Sequence, residues 1–372
     1  MSLTFFFAPL IISVISVSLA ALISIIDKIV NNYGQVKIDV NNGADTLTVN
    51  GGSPLLFTLG EKKIFVPSAC GGKGTCAACK VKILKGIDVH MPTETPLLTP
   101  EEIQENIHLS CQIKVKSDIS IEIPEELFNI KQYETIVESI KDVTYDIKEV
   151  YLKLVEPQTI NFKAGQYAQF VVPPYEKIKG STQRAYSMLS TPGDINRLGF
   201  LVRLVPGGIA TTYVFKHLKE GDKFQVIAPV GDFHLQETEA DMLCIAGGSG
   251  MAPLHSIICD LAEKNRMNRN IWYFFGARAV RDLFYVDRFR ELEKEWSNFH
   301  FVPALSEPLP DDNWQGETGL ITDVLDKYLK QHIKSDNARE GYLCGSPGMI
   351  DACIKVLNNN NVPDDKIFYD KF

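Results

Sequence analysis

The chain has 372 residues, 45% of them hydrophobic and 23% charged, enough for two or three folded domains rather than one core. A net charge of −8 argues against nucleic acid as a partner. No repeat or low-complexity tract interrupts it.

Residues 3 to 26 carry no charge and are rich in Phe, Leu, Ile, Val and Ser. As a helix, Leu3–Ile26 would extend about 36 Å, enough to cross a hydrocarbon core of about 30 Å. A secretory signal peptide competes, but no basic segment precedes the run. Residues 1–28 are therefore expected to form a transmembrane anchor.

Residues 34–125 read as a compact β-rich module. Gln35–Val40 alternates, Asn-Asn-Gly-Ala turns, and Thr46–Val49 returns, which is a hairpin pattern. Pro54–Gly60 suggests a short helix, and Ile64–Val66, Lys80–Leu84, His108–Val115 and Ile119–Ile123 suggest strands. Thr99-Pro100-Glu101-Glu102 predicts a capped helix start. Within this module lies Cys70-Gly-Gly-Lys-Gly-Thr-Cys76-Ala-Ala-Cys79, with Cys111 further on. Thiolates are soft donors suited to iron–sulfur iron, and the glycines allow the backbone close to the sulfurs. Four-cysteine zinc usually shows two Cys-x-x-Cys pairs, whereas one is present. A [2Fe–2S] cluster on Cys70, Cys76, Cys79 and Cys111 is the leading reading, with zinc as its rival. A disulfide framework is disfavoured, because the other cysteines sit in apolar stretches.

Residues 131–235 hold strand candidates at Tyr133–Ile140, Tyr145–Val155, Tyr167–Val172, Arg184–Leu189, Leu198–Val205 and Lys223–Ile227, with a helix at Ile209–Leu218. Short strands at regular spacing predict an antiparallel β-barrel. Residues 241–372 alternate strand and helix, which predicts a parallel doubly wound sheet. Helices are expected at Asp282–Glu295, Thr318–Leu329 and Pro347–Leu357, and a last strand at Ile367–Tyr369. Gly247-Gly248-Ser249-Gly250 joins a strand to a helix and points N–H groups at an anion such as pyrophosphate.

Arg184-Ala-Tyr186-Ser187, Gly207-Gly208-Ile209-Ala210-Thr211, Gly247–Pro253, Gly276-Ala-Arg278 and Cys344-Gly345-Ser-Pro occur in that order. Together they resemble the ferredoxin–NADP reductase superfamily. With the cysteine module and the N-terminal run, the whole chain resembles the F-subunit family of sodium-pumping NADH:quinone oxidoreductases. The resemblance implies a multidomain α+β and α/β protein: a transmembrane helix, a β-grasp-like ferredoxin domain, an FAD barrel and an NADH domain. It implies that Arg184, Tyr186 and Ser187 hold FAD, with Ser187 near the flavin N5. Gly207, Gly208, Ile209, Ala210 and Thr211 would bind the FAD pyrophosphate. Gly247, Gly248, Ser249, Gly250 and Arg278 would bind NADH. Cys344 and Gly345 would flank the nicotinamide, and Phe372 would cover the flavin. Electrons would pass from NADH through FAD to the cluster, then to integral membrane redox subunits and indirectly to quinone. The bulk of the chain would be cytoplasmic, on a single-pass anchor in the bacterial inner membrane. Motion about Pro124–Lys131 would bring the cluster toward FAD. The rivals are a tethered reductase for an oxygenase or corrinoid-activation system, and a redox-responsive interaction subunit with little turnover.

Overall fold

The computed structural model describes residues 12–24, 33–334 and 337–371. The chain divides into two compact units, Met1–Asn129 and Ile130–Phe372.

In the first unit, residues 12–24 form helix α1, whose apolar side chains, among them Ile12, Val17 and Ile23, are exposed. Among the described residues, no helix is long and apolar enough to cross a membrane. The expected span Leu3–Ile26 extends past α1 at both ends, outside the described residues. Five strands follow: β1 (Gln35–Val40), β2 (Asp45–Asn50), β3 (Lys80–Lys85), β4 (Ile107–Leu109) and β5 (Ile119–Glu122). They form one sheet in the order β2-β1-β5-β3-β4. The β1–β2 turn runs through Asn41, Asn42 and Gly43 at positive φ, which these residue types tolerate. Helix α2 (Leu55–Glu61) buries Leu55, Leu56 and Leu59 in a core with Ile38, Val81 and Ile121. Helix α3 (Pro100–Gln104) starts with the expected capping box: Glu102 N donates to Thr99 Oγ1 and Thr99 N donates to Glu102 Oε2.

Two sequence expectations fail here. Ile64–Val66 is not a strand: Ile64 N bonds back to Leu59 O, and Ile64 and Val66 are buried without a pairing neighbour. The strand expected over His108–Val115 stops at Leu109, because the chain turns there to bring Cys111 beside the cysteine loop.

The second unit opens with β6 (Lys131–Asp142), β7 (Ile147–Glu156), β8 (Tyr167–Val172), β9 (Thr182–Ser187), β10 (Arg197–Arg203) and β11 (Lys223–Val230). Helix α4 (Ile209–Lys216) lies between the last two. The strands are antiparallel in the order β10-β7-β6-β11-β8-β9. The end strands meet through a Met188–Phe200 bridge and a Leu189 N to Gly199 O bond of 2.7 Å, which closes the barrel. Phe170 fills it edge-on to Phe200 and Phe224, with centroids 4.8 and 5.0 Å away.

The rest is a parallel sheet. Its elements are β12 (Asp241–Gly247), α5 (Met251–Glu263), β13 (Ile271–Ala277), α6 (Val286–Glu295), β14 (Phe299–Leu305), β15 (Glu317–Thr318), α7 (Ile321–Gln331), β16 (Arg339–Gly345), α8 (Pro347–Asn359) and β17 (Ile367–Lys371). Strand order is β15-β14-β13-β12-β16-β17. Met242 to Ala246 are all buried, as a central strand covered on both faces requires. The winding reverses between β12 and β16, so ligands are expected beyond their C-terminal ends. Two helices start later than their apolar pattern suggests. A 3-10 turn at Val280–Asp282 precedes α6, and Gly319 at φ +111° delays α7 to Ile321.

Candidate functional site

Cys70, Cys76 and Cys79 sit in the loop entering β3, and Cys111 follows β4. Gly71, Gly72 and Gly74 have φ of +67°, +83° and +71°, a backbone that side chains other than glycine rarely allow. That path turns Lys73 N onto Cys70 Sγ at 3.2 Å, while Gly72 N donates to Ser68 Oγ at 2.8 Å. The thiols gather in pairs, Cys70 with Cys76 and Cys79 with Cys111. In each pair one thiol is low and its neighbour high. Burial raises Cys70, but N–H groups of Thr75 and Lys73 and the Cys76 thiol outweigh it and lower it to about 6. The Cys79 thiol, with other hydrogen bonds, brings Cys111 to about 6 against burial. Burial chiefly raises Cys76, and the Cys111 thiol with burial raises Cys79. Among the described residues, no three His, Cys, Asp or Glu side chains converge on one metal-ion position. Paired thiols suit two irons with two thiolates each better than one tetrahedral zinc.

The residues expected to hold FAD lie along one edge of the barrel. Arg184 and Tyr186 are half-buried on β9; Arg184 bonds to the Gln183 carbonyl, and the Tyr186 ring packs on Phe170 at 4.5 Å. Ser187 ends β9 with a buried Oγ that, among the described residues, meets no partner at hydrogen-bond geometry, with the Asp370 carboxyl nearby. Gly207 takes φ +73°, and α4 starts after Gly208 with no side-chain cap, so its first N–H groups stay available to an anion. Ala210 and Thr211 face inward, and the Thr211 hydroxyl is engaged with Val205 and Gly208, so it shapes the turn.

At the sheet's reversal point, Gly247 ends β12, and Gly248, Ser249 and Gly250 make a single 3-10 turn that runs into α5. A Cβ on Gly250 would run into the Cys344 carbonyl, and Gly248 takes φ +57°. Neither this turn nor α8, which begins after Ser346, has a side-chain cap. These helix starts border a cleft of about 370 Å³ that also reaches Gly276, Arg278 and Ser306. Arg278 is exposed in it. Gly345 passes Gly247 with its φ at +153°. Cys344 is fully buried, pairs with Ala246 and Asp370 across the sheet, and burial pushes its thiol well up.

Two further residues enter the site without a sequence motif. Arg203, at the end of β10, bonds to Asp146 at 2.8 Å and leans over the glycine turn; its Nη1 is 3.0 Å from where a Gly248 Cβ would stand. Asp370 on β17 has a buried Oδ2 that, among the described residues, finds no partner at hydrogen-bond geometry. Burial pushes its carboxyl up to about 6, and the nearby Ser187 side chain offsets part of that rise. Asp370 thus connects Ser187 of the barrel with Cys344 of the sheet. Phe372 lies outside the described residues.

Three family descriptions match the chain: a 2Fe-2S iron-sulfur cluster binding domain over residues 38–116, an oxidoreductase FAD-binding domain over 134–235 and an oxidoreductase NAD-binding domain over 244–355. The cofactors are thus a [2Fe–2S] cluster, FAD and NAD. The F subunit of the Na(+)-translocating NADH-quinone reductase of Psychrobacter cryohalolentis is 37% identical, over 91% of each chain. Its counterpart in Pseudomonas aeruginosa, which carries the same name, is 38% identical, also over 91% of each. Among solved structures, a cytochrome P450 reductase from Amycolatopsis superposes with TM-score 0.72 at 28% identity, over 91% of this chain and 98% of that one. The ferredoxin reductase in carbazole 1,9a-dioxygenase gives 0.67 at 27% identity over the same shares.

Proposed function

The chain belongs to the F-subunit family of Na(+)-translocating NADH-quinone reductases, and from that membership we propose how its residues divide the work. It is an NADH dehydrogenase module with FAD and a [2Fe–2S] cluster. When bound, FAD takes the two-electron hydride of NADH, and the cluster carries electrons singly.

Cys70, Cys76, Cys79 and Cys111 hold the cluster. Arg184 and the N–H groups opening α4 at Gly207–Thr211 hold the FAD diphosphate, Tyr186 packs against the flavin, and Ser187 orients its reacting edge. Gly247–Gly250, Arg203 and Arg278 hold the diphosphate and adenosine side of NADH. Cys344 and Gly345 border the nicotinamide, with Asp370 Oδ2 able to hold a proton beside Ser187. Phe372 is assigned the cover over the flavin. The observation that supports this reading best is the meeting of Ser187, Asp370 and Cys344, from three strands, beside uncapped helix starts.

The N-terminal run through α1 anchors the chain to a bacterial inner membrane, its bulk cytoplasmic. There Cys70, Cys76, Cys79 and Cys111 would hold the cluster as a one-electron donor to integral membrane redox subunits, and quinone would be reached through them. The uncharged run and the exposed apolar side chains of α1 support this. The oxygenase-reductase reading draws on the two solved structures, but at lower identity than the quinone-reductase relatives.

Full-length protein in detergent should oxidise NADH with ferricyanide. Cys76→Ser should keep NADH bleaching of the flavin and lose onward one-electron transfer. FAD-loaded protein that does not oxidise NADH would overturn the reading. Membrane redox subunits that co-purify would support the anchored role; an oxygenase in their place would favour the rival.

A further inference from the structure

Beside the cysteine loop lies a side chain that the reading above leaves unused. Gln112 follows Cys111 directly, and its Nε2 stands 3.4 Å from Cys111 Sγ. Its Oε1 accepts the Thr93 hydroxyl at 2.9 Å. The amide occupies the space a side chain at position 74 would need: a Cβ on Gly74 would stand 2.5 Å from Gln112 Nε2.

Thr93 itself is held. On one side Glu94 accepts from Met91 N and Leu109 N, both at 2.8 Å, and from His108 Nδ1 at 2.9 Å. On the other, Thr95 Oγ1 donates to Met91 O at 3.0 Å. The segment from Met91 to Thr95 is thus pinned to β4, the strand that leads into Cys111. A ligand thiolate can only accept, so the amide must turn an N–H toward it, and the Thr93 hydroxyl then fits Oε1.

We propose that Gln112, oriented by Thr93, is a positioning residue that sets the reduction potential of the iron–sulfur centre by donating an amide hydrogen bond to Cys111 Sγ. This rests on the assignment of the four cysteines as cluster ligands. A donor aimed at a ligand sulfur favours the more negative, reduced state, and so raises the potential. Unlike the backbone donors of the loop, it can be removed by substitution without altering the chain path.

The test is a redox titration of full-length protein, read by visible absorbance and electron paramagnetic resonance, with iron and sulfide counted in each sample. Gln112→Leu removes the donor and should lower the midpoint potential. Gln112→Glu, acceptor-only when ionised, should lower it further, and Thr93→Val should lower it less than either. Reduction of FAD by NADH should stay at the wild-type rate in all three. A fully loaded Gln112→Leu protein with the wild-type midpoint would overturn the proposal. Should that variant fail to take up the cluster, a loaded Thr93→Val protein with an unshifted midpoint overturns it equally. Wild-type protein without iron and sulfide would sink the ligand assignment, and the proposal with it.

Discussion

In the first unit Glu94 faces His108 at 2.9 Å; in the second Glu340 faces Arg269 at 2.6 Å. All four side chains are at most 4% exposed. The cations differ in kind. Arginine offers a permanently charged planar fork, whereas histidine offers two distinct ring nitrogens. Their surroundings differ too. Glu94 pins the segment at Met91–Thr95 to the strand leading to Cys111. Glu340 and Arg269 hold the connection from barrel to sheet: Arg269 donates to the Gln236 and Ala240 carbonyls, and Glu340 accepts from Thr238 and Tyr342. Each pair is thus a fastener for a loop rather than a source of net stability, since desolvation consumes much of the attraction.

Removing one partner tests that view, because it leaves the other charge stranded. Glu340→Leu should destabilise the second unit by about 3–5 kcal/mol. The readout is clean: Trp272, Trp296 and Trp314 all lie in that unit, so tryptophan fluorescence during denaturation reports on it alone. The cluster's visible absorbance should keep its wild-type bleaching midpoint if the units unfold independently.

The next largest effect has the opposite sign. Asp370 is an acid without a cation, its carboxyl pushed up to about 6 by burial. A raised carboxyl means the folded state binds the proton more tightly than the unfolded chain. The penalty is therefore absent at about pH 4, grows through about pH 6 and is complete above it. Asp370→Asn should stabilise the second unit at pH 8 by at most about 3 kcal/mol, with the gain gone near pH 4. Equal stability of the two proteins at pH 8 would show that the carboxyl is better solvated than its burial implies. The same substitution should also change the pH profile of NADH oxidation near pH 6, if Asp370 holds a proton at the reacting edge.

Glu94→Leu should cost the first unit about 1–3 kcal/mol, because the N–H groups of Met91 and Leu109 and the His108 ring lose their acceptor. Burial alone would raise the Glu94 carboxyl; hydrogen bonds from His108, Met91 and Leu109 outweigh it and hold the group below the ordinary glutamate value. A depressed carboxyl stabilises the fold above its unfolded value, and that contribution is lost as pH falls through the folded one. The wild-type cluster should therefore bleach more readily in acid, and the variant should show a flatter acid limb.

These residues also show what the sequence could reveal. The cysteine loop is local, with three sulfurs and three glycines in ten positions, so its chemistry can be read along the chain. The Thr99–Glu102 capping box is local for the same reason. Ser187, Cys344 and the glycine turn were legible only as motifs, and what joins them was not. Asp370 gains its surroundings from a register with Cys344 that no local pattern states. Its one sequence hint is alternation, which sets it on the same strand face as Phe368. Ile64–Val66 misled for the converse reason: a short apolar run, Ile-Phe-Val, found no neighbouring strand to pair with.

A third ion pair separates fastening from binding. Arg203 and Asp146 meet at 2.8 Å, but Arg203 is 47% exposed, so the pair should add no more than about 1 kcal/mol to stability. Its position over Gly248 gives it another task. Arg203→Ala should leave the tryptophan-monitored unfolding midpoint nearly unchanged. It should raise KM for NADH about tenfold, which corresponds to about 1.4 kcal/mol of lost binding, with kcat largely kept. Arg203→Lys should recover part of the loss, because it restores the charge without the fork. Higher salt should weaken the wild-type enzyme toward the alanine variant, since the contact is open to solvent. If stability falls while KM holds, Arg203 belongs with the buried fasteners, and the diphosphate is held by the glycine turn and helix ends alone.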